Sequence, residues 1–261
     1  MSDNWNTYFT VIDNKPASFM LDMDPWKDGS NEMFVYLYRL SVTLNEPNEN
    51  GLTCNKEATV LFEIEDSIHD ALDSHYMFVG RVTTDGRRDF YYYTDNEDTS
   101  KLEHLAVINL ENYNYHFSRI EEQNPRAFYY EFLFPKKSDL QRMLNRQIVN
   151  KLSELGDSLD QSRTVNHWIY FSSFESRHLF IEKIQVDGFL IEEQETQDNR
   201  FKLRISRNDC VEFHSISDVT DYLVNVAQQF HGDYDGWETK VINEPEGIFS
   251  GIKRLFKRGK S

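Results

Sequence analysis

From Asn166 to Ile242 the apolar residues change period in a definite order, and that order restricts the fold more than any single motif does. NHWIYFS, rich in aromatic and β-branched residues, reads as a strand. Residues 175–186 follow the helical period and stop before Gly188. FLIEEQET and RFKLRIS form two strands around the turn QDN. Residues 217–230 put Val219, Tyr222, Leu223, Val226, Ala227 and Phe230 on one helical face. WETKVI closes the run as a strand. Strand, helix, strand, strand, helix, strand is the ferredoxin-like order.

The first half is longer and less regular. Residues 5–23 alternate around NKP and predict a hairpin. MFVYLYRLSVTL sets Phe34, Tyr36, Tyr38, Leu40 and Val42 at period two, a third strand. NENG marks a turn. Residues 56–74 are helical, with Leu61, Ile64, Ile68, Ala71 and Leu72 on one face. YMFVGRVTT and RRDFYYYT are strands joined by Asp85-Gly86, a strong hairpin pair. A short helix follows over 99–106, then YNYHFSRIE and AFYYEFLF read as two more strands. Ser138 and Gln141 fit a capping box, in which each side chain satisfies a free backbone donor at a helix start. Leu140, Leu144, Ile148, Leu152 and Leu155 then make an apolar stripe that Gly156 ends.

The polar loop GDSLDQS sets the domain boundary. The reading is α+β with two domains: 1–156 an antiparallel sheet with helices, 160–243 ferredoxin-like, and 244–261 a basic amphipathic tail. The element order over 33–134 is close to that of the second half, which opens the same fold to the first domain.

The formal net charge of -16 over 261 residues opposes nonspecific nucleic-acid binding, which needs Lys and Arg against phosphates, and favours a basic protein partner. Aromatics at 14% argue for a packed core rather than disorder. No apolar run approaches the roughly 20 residues that span a bilayer, and the N-terminus has no secretory pattern, so a cytoplasmic protein is expected. Cys54 and Cys210 form no CxxC pair and read as reduced, partly buried residues. No cofactor or metal is expected.

FHGDYDGWETKVI places Asp233, Asp235 and Glu238 beside His231. Local chemistry accounts for much of it: Gly232 as a helix stop, Asp235-Gly236 as a turn, then a strand. An EF-hand loop needs its Gly at the sixth position, and Gly236 is the fourth from Asp233. A hydrolase reading needs the three carboxylates and His231 to converge in a pocket with a metal or a perturbed acid. His167, His178, His214 and His231 show no metal-binding spacing. FYYYT and AFYYEF could stack bases, but alternating aromatics serve a core first. Arg81, Arg87 and Arg88 suggest a small basic rim on their hairpin.

Two resemblances follow from quoted stretches. RTVNHWIYFSS, the Gly188-Phe189 pair and HGDYDGWETKVI resemble the bacterial regulator of ribonuclease E activity B family over about residues 160–242. NWNTYFTVIDNKPASFMLDMD, NGLTCNKEATVLFEIEDSI and FVGRVTTDGRRDFYYYT resemble a domain family of unknown function that precedes such regulators. The first resemblance implies a ferredoxin-like fold and a non-catalytic role in RNA metabolism, binding and modulating a ribonuclease by protein contact. The expected contact residues are Arg163, His167, Asp233, Tyr234, Asp235, Trp237 and Glu238, with acids meeting a basic partner and aromatics as anchors. In the tail, Lys253, Arg254, Lys257 and Arg258 flank an apolar stripe, so any membrane or further partner contact is expected there.

Overall fold

The computed structural model describes residues 4–197 and 200–242. The chain divides into two compact units, Met1–Asp139 and Leu140–Ser261.

In the first unit the hairpin β1 (Trp5–Ile12) and β2 (Lys15–Asp22) is followed by β3 (Tyr36–Thr43), α1 (Asn55–Ala71), β4 (Tyr76–Thr84), β5 (Arg87–Thr94), α2 (Ser100–Asn109) and β6 (Tyr115–Ile120). The six-stranded sheet runs β1-β2-β4-β5-β3-β6, with every neighbour antiparallel. β3 to β6 with α1 and α2 are a ferredoxin-like βαββαβ unit, and the β1–β2 hairpin is added to it beside β4. Asp13 and Asn14 turn the first hairpin at φ 48° and 63°, and Asp85 and Gly86 the second at 47° and 76°. Such pairs of left-handed residues match the twist of the strands they join. Leu61 and Ile68 of α1 and Leu102 and Ala106 of α2 close one face of the sheet over Leu40, Val42, Phe78, Phe90 and Tyr92.

AFYYEFLF is not a strand. Tyr129–Leu133 is a π-helical turn. Tyr129 and Leu133 are fully buried while Tyr130 and Phe132 are exposed, so burial recurs at the fourth residue rather than the second. The Tyr129 hydroxyl donates to the Asp22 carbonyl at 2.5 Å, and Tyr8 donates to the Leu133 carbonyl at 2.6 Å. A run of aromatics satisfies either period, and these two hydrogen bonds settle it here.

The second unit holds most of α3 (Lys137–Glu154), then β7 (Arg163–Phe171), α4 (Phe174–Gln185), β8 (Leu190–Gln197), β9 (Arg200–Asp209), α5 (Phe213–Gln229) and β10 (Gly232–Thr239). Its sheet order, β10-β7-β9-β8, is antiparallel throughout and ferredoxin-like. Phe180, Ile181 and Ile184 of α4 and Leu223, Val226 and Ala227 of α5 pack on Ile169, Phe171, Leu203 and Ile205.

The sequence reading gave α3 to the first domain, ahead of a boundary at 156–162. Its packing is with the second unit. Val149 and Leu152 join Val165, Val211, Ile216 and Trp237 in one cluster. The buried line of α3 is also not the expected leucine stripe, since Leu144 and Leu155 are about half exposed, whereas Gln141, Asn145, Val149 and Leu152 are buried. At the helix start the Lys136 N–H is accepted by Asp139 Oδ2 at 3.3 Å. Asp139 therefore supplies the capping carboxylate, and Gln141 Nε2 instead donates to Asn145 Oδ1 at 2.9 Å.

Candidate functional site: an acidic edge strand

The stretch after α5 is a strand from its first glycine, not a helix stop and turn. Phe230 caps the helix, and His231 takes the left-handed conformation at φ 55° with its N–H on the Gln228 carbonyl. Gly232 opens β10. A Cβ there would lie 2.4 Å from the Phe171 ring, so close strand packing is what needs the glycine. β10 pairs with β7 until the register shifts between Tyr234 and Gly236. Asp235 is the extra residue of this bulge, and Gly236 sits at φ 146° with nothing near its missing Cβ. Bulges of this kind re-aim the side chains around them.

The alternation around the bulge sorts the five expected contact residues on β10. Tyr234 and Trp237 point to the helix-covered face, where Tyr234 packs against the main core and Trp237 joins the α3 cluster. Asp233, Asp235 and Glu238 are exposed. Asp233 and Glu238 lie opposite Tyr170 and Asn166 on the face away from the helices.

Trp237 is 5% exposed, and its indole N–H donates to Asn145 Oδ1 at 2.8 Å. An indole nitrogen only donates, which fixes the orientation of the Asn145 amide. Asn145 Nδ2 then donates to Thr220 Oγ1 at 2.7 Å and Ser217 Oγ at 3.3 Å. His167 is fully buried, and its Nδ1 shares a 2.8 Å hydrogen bond with the Tyr234 hydroxyl. Burial first, and then the charge of Arg207, push its pKa down to about 3, so the ring is neutral. Burial, with Asp235 second, raises the Tyr234 hydroxyl well above its ordinary value.

Arg163 is buried too. It forms a two-pronged ion pair with Asp157, one arm from Nη2 to Oδ1 at 2.9 Å and the other from Nη1 to Oδ2. Asp157 also accepts from the N–H groups of Leu159 and Ile242, each at 2.8 Å. These contacts pin the loop before β7 to the chain leaving β10, and the Arg163 hydrogen bond holds the Asp157 carboxyl down at about 2. Arg163, His167 and Trp237 are thus interior parts of the unit rather than surface residues.

Sequence reasoning missed the aromatics that share the outward face. Tyr170 lies opposite Asp233, and Trp168 opposite Gly236. Both are half-buried. Lys202 and Arg204 continue the same rows on β9 and pair with Glu195 at 3.0 Å and Glu193 at 3.5 Å on β8. The signal was present in the strand itself, because residues flanking the inward His167 and Ile169 must point out. It was masked by the expectation that Tyr234 and Trp237 are the anchors.

The carboxylates do not converge. Asp233 and Glu238 face β7 residues four apart, about 13 Å at a strand's rise. Among the described residues no three His, Cys, Asp or Glu side chains could hold a metal together. Cys54 and Cys210 are free. No helix among the described residues is long and apolar enough to cross a membrane. Lys253, Arg254, Lys257 and Arg258 lie outside the described residues.

Together the fold and the strand define a two-unit α+β protein with a ferredoxin-like arrangement in each unit. The chain belongs to the family of unknown function DUF695, which it matches over residues 3–134, and carries behind that region a match to the family "Regulator of ribonuclease activity B" over residues 142–239. It matches no curated protein. Solved structures that overlap it include an unknown protein from Galdieria sulphuraria, at 12% identity, 79% of this chain, 99% of that chain and a TM-score of 0.23. Another is a "putative glycine cleavage system transcriptional repressor", at 10% identity, 79% and 98% coverage and a TM-score of 0.20. Overlap this weak carries no inference.

Proposed function

We propose that this protein is a non-catalytic regulator that binds a ribonuclease or another RNA-processing factor through the outward face of β10 and β7. The observation that carries this reading is the alternation around the bulge. It turns Asp233, Asp235 and Glu238 outward and sets Trp168 and Tyr170 beside them. Acids steer a basic partner, and half-buried aromatics at the centre supply anchoring area. The match of residues 142–239 to a ribonuclease-regulator family supports the choice of partner class.

β10 is an edge strand of its sheet. Its bulge and carboxylates discourage pairing with a further strand, so the contact runs through side chains. Affinity capture from the native lysate tests this, with wild type beside a folded Asp235→Lys, Glu238→Lys variant and a folded Trp168→Ala variant. A ribonuclease held by wild type and lost by both variants is the expected result. Equal capture by all three removes the contact from this face. Capture of no ribonuclease or RNA-processing factor by wild type ends the regulator reading.

A further inference from the structure

The β1–β2 hairpin carries the first unit's sheet past α1 and leaves a step beside that helix. On the α1 side, Ser18, Thr83 and Arg88 form one row across β2, β4 and β5, and Met20 and Arg81 lie in the next. The step encloses about 320 Å³, walled by Phe62 of α1 and by Thr53 of the loop before it. That volume is at the lower end of small-molecule sites.

Two arginines in an acidic chain point into this step. Arg88 was expected on an exposed rim, but is only 3% exposed. Its Nε donates to Thr83 Oγ1 at 3.0 Å and its Nη2 to Thr53 Oγ1 at 3.4 Å, while its buried Nη1 has no hydrogen-bond partner. Arg81 pairs with Glu65, whose second oxygen is also buried and unpartnered. The Phe62 ring lies over both guanidinium groups, 4.7 Å from the central carbon of Arg81 and 5.1 Å from that of Arg88.

The nearby acids leave Arg88 Nη1 without a partner. Glu57 accepts from the N–H groups of Asn45 at 2.6 Å and Glu46 at 3.2 Å. Burial raises the Glu65 carboxyl above its ordinary range despite both arginines. Burial and then Arg81 lower Arg88 to about 10. A buried, charged donor left unfilled is costly, and a planar fork of this kind matches a carboxylate or phosphate.

We propose that this step binds a small organic oxyanion, a carboxylate or phosphate on an apolar or aromatic body. The oxyanion takes donors from Arg81 and Arg88 beside the Thr53 and Thr83 hydroxyls. The body lies against Phe62 and Met20. Phe62 is 42% exposed and lines the step together with Arg88, so its ring flanks the ligand's body without belonging to the core.

The test is calorimetric titration of the full chain with phenyl phosphate, phenylacetate and inorganic phosphate at millimolar concentration. Saturable one-to-one binding of phenyl phosphate or phenylacetate is expected, with whichever binds tighter naming the head group. Inorganic phosphate should bind more weakly than phenyl phosphate. Arg81→Gln paired with Glu65→Gln, and separately Phe62→Ala, should each weaken the bound probe about tenfold. Phe62→Ala alters a half-exposed side chain, so it decides the matter if the buried double variant does not fold. No saturable binding to wild type, or unchanged binding in the folded variants, overturns the site. Equal affinity for inorganic and phenyl phosphate overturns the apolar body.

Discussion

Replacing Asn145 with Ala should destabilise residues 140–242 more than any single surface change. Its Oδ1 receives both the Trp237 indole N–H and the Gln141 amide, at 2.8 and 2.9 Å. All three side chains are buried. The substitution leaves two buried donors without an acceptor, at about 1–3 kcal/mol each. The Thr220 hydroxyl retains the Ser217 carbonyl at 3.1 Å, so it adds little. A water entering the polar gap would return part of the loss. The expected cost is therefore about 2–5 kcal/mol.

Urea denaturation followed by circular dichroism measures that cost, and hydrogen exchange localises it to residues 140–242. Adding Trp237→Phe removes one of the orphaned donors. The double variant should lose less than the sum of the singles, by at least about 0.5 kcal/mol. A cost under about 1 kcal/mol for Asn145→Ala, or strict additivity in the double variant, would refute the reasoning.

The remaining expectations concern the same unit. His167 has a folded pKa of about 3, below its ordinary 6.5. As pH falls through about 6.5 the unfolded chain takes up the proton first, so stability declines toward pH 3 by up to about 1.4 kcal/mol per pH unit. Exchange protection in β7 and β10 should show that slope, and His167→Asn should remove it; an unchanged slope refutes the assignment. Arg163→Ala strands the buried Asp157 carboxylate and should cost about 3–5 kcal/mol in urea denaturation, while a cost under about 1 kcal/mol would show that the pair does not hold the loop. Gly236→Ala should cost about 1–3 kcal/mol from backbone strain alone, since nothing crowds its Cβ position; equal thermal stability to wild type would count against the bulge geometry.

Both ferredoxin-like orders were legible because period-two strands and period-3.6 helices follow one another, with NKP and Asp85-Gly86 marking hairpins. The π-helical turn at Tyr129–Leu133 was not legible. Its aromatics fit either period, and the deciding hydrogen bonds come from Tyr8 and reach Asp22, far away in sequence. The place of α3 was hidden for a related reason. Its buried line runs through Gln141 and Asn145, which look like surface residues until Trp237 requires an acceptor.

The acidic stretch was found but its sidedness was not. Asp235-Gly236 reads as a turn from sequence, and only the pairing with β7 shows a bulge that keeps Tyr234 and Trp237 both inward. That single extra residue decides which of the five expected contacts on β10 face outward. On β7 the strand's own alternation turns Trp168 and Tyr170 to that outward face.

Regulation through the outward face of β10 is tested by the RNA-cleavage rate of the captured ribonuclease, measured with added wild-type protein and with the Asp235→Lys, Glu238→Lys variant. Wild type should change the rate in a saturable way, and the variant should leave it unchanged. No effect of wild type, or an equal effect of the variant, would contradict it.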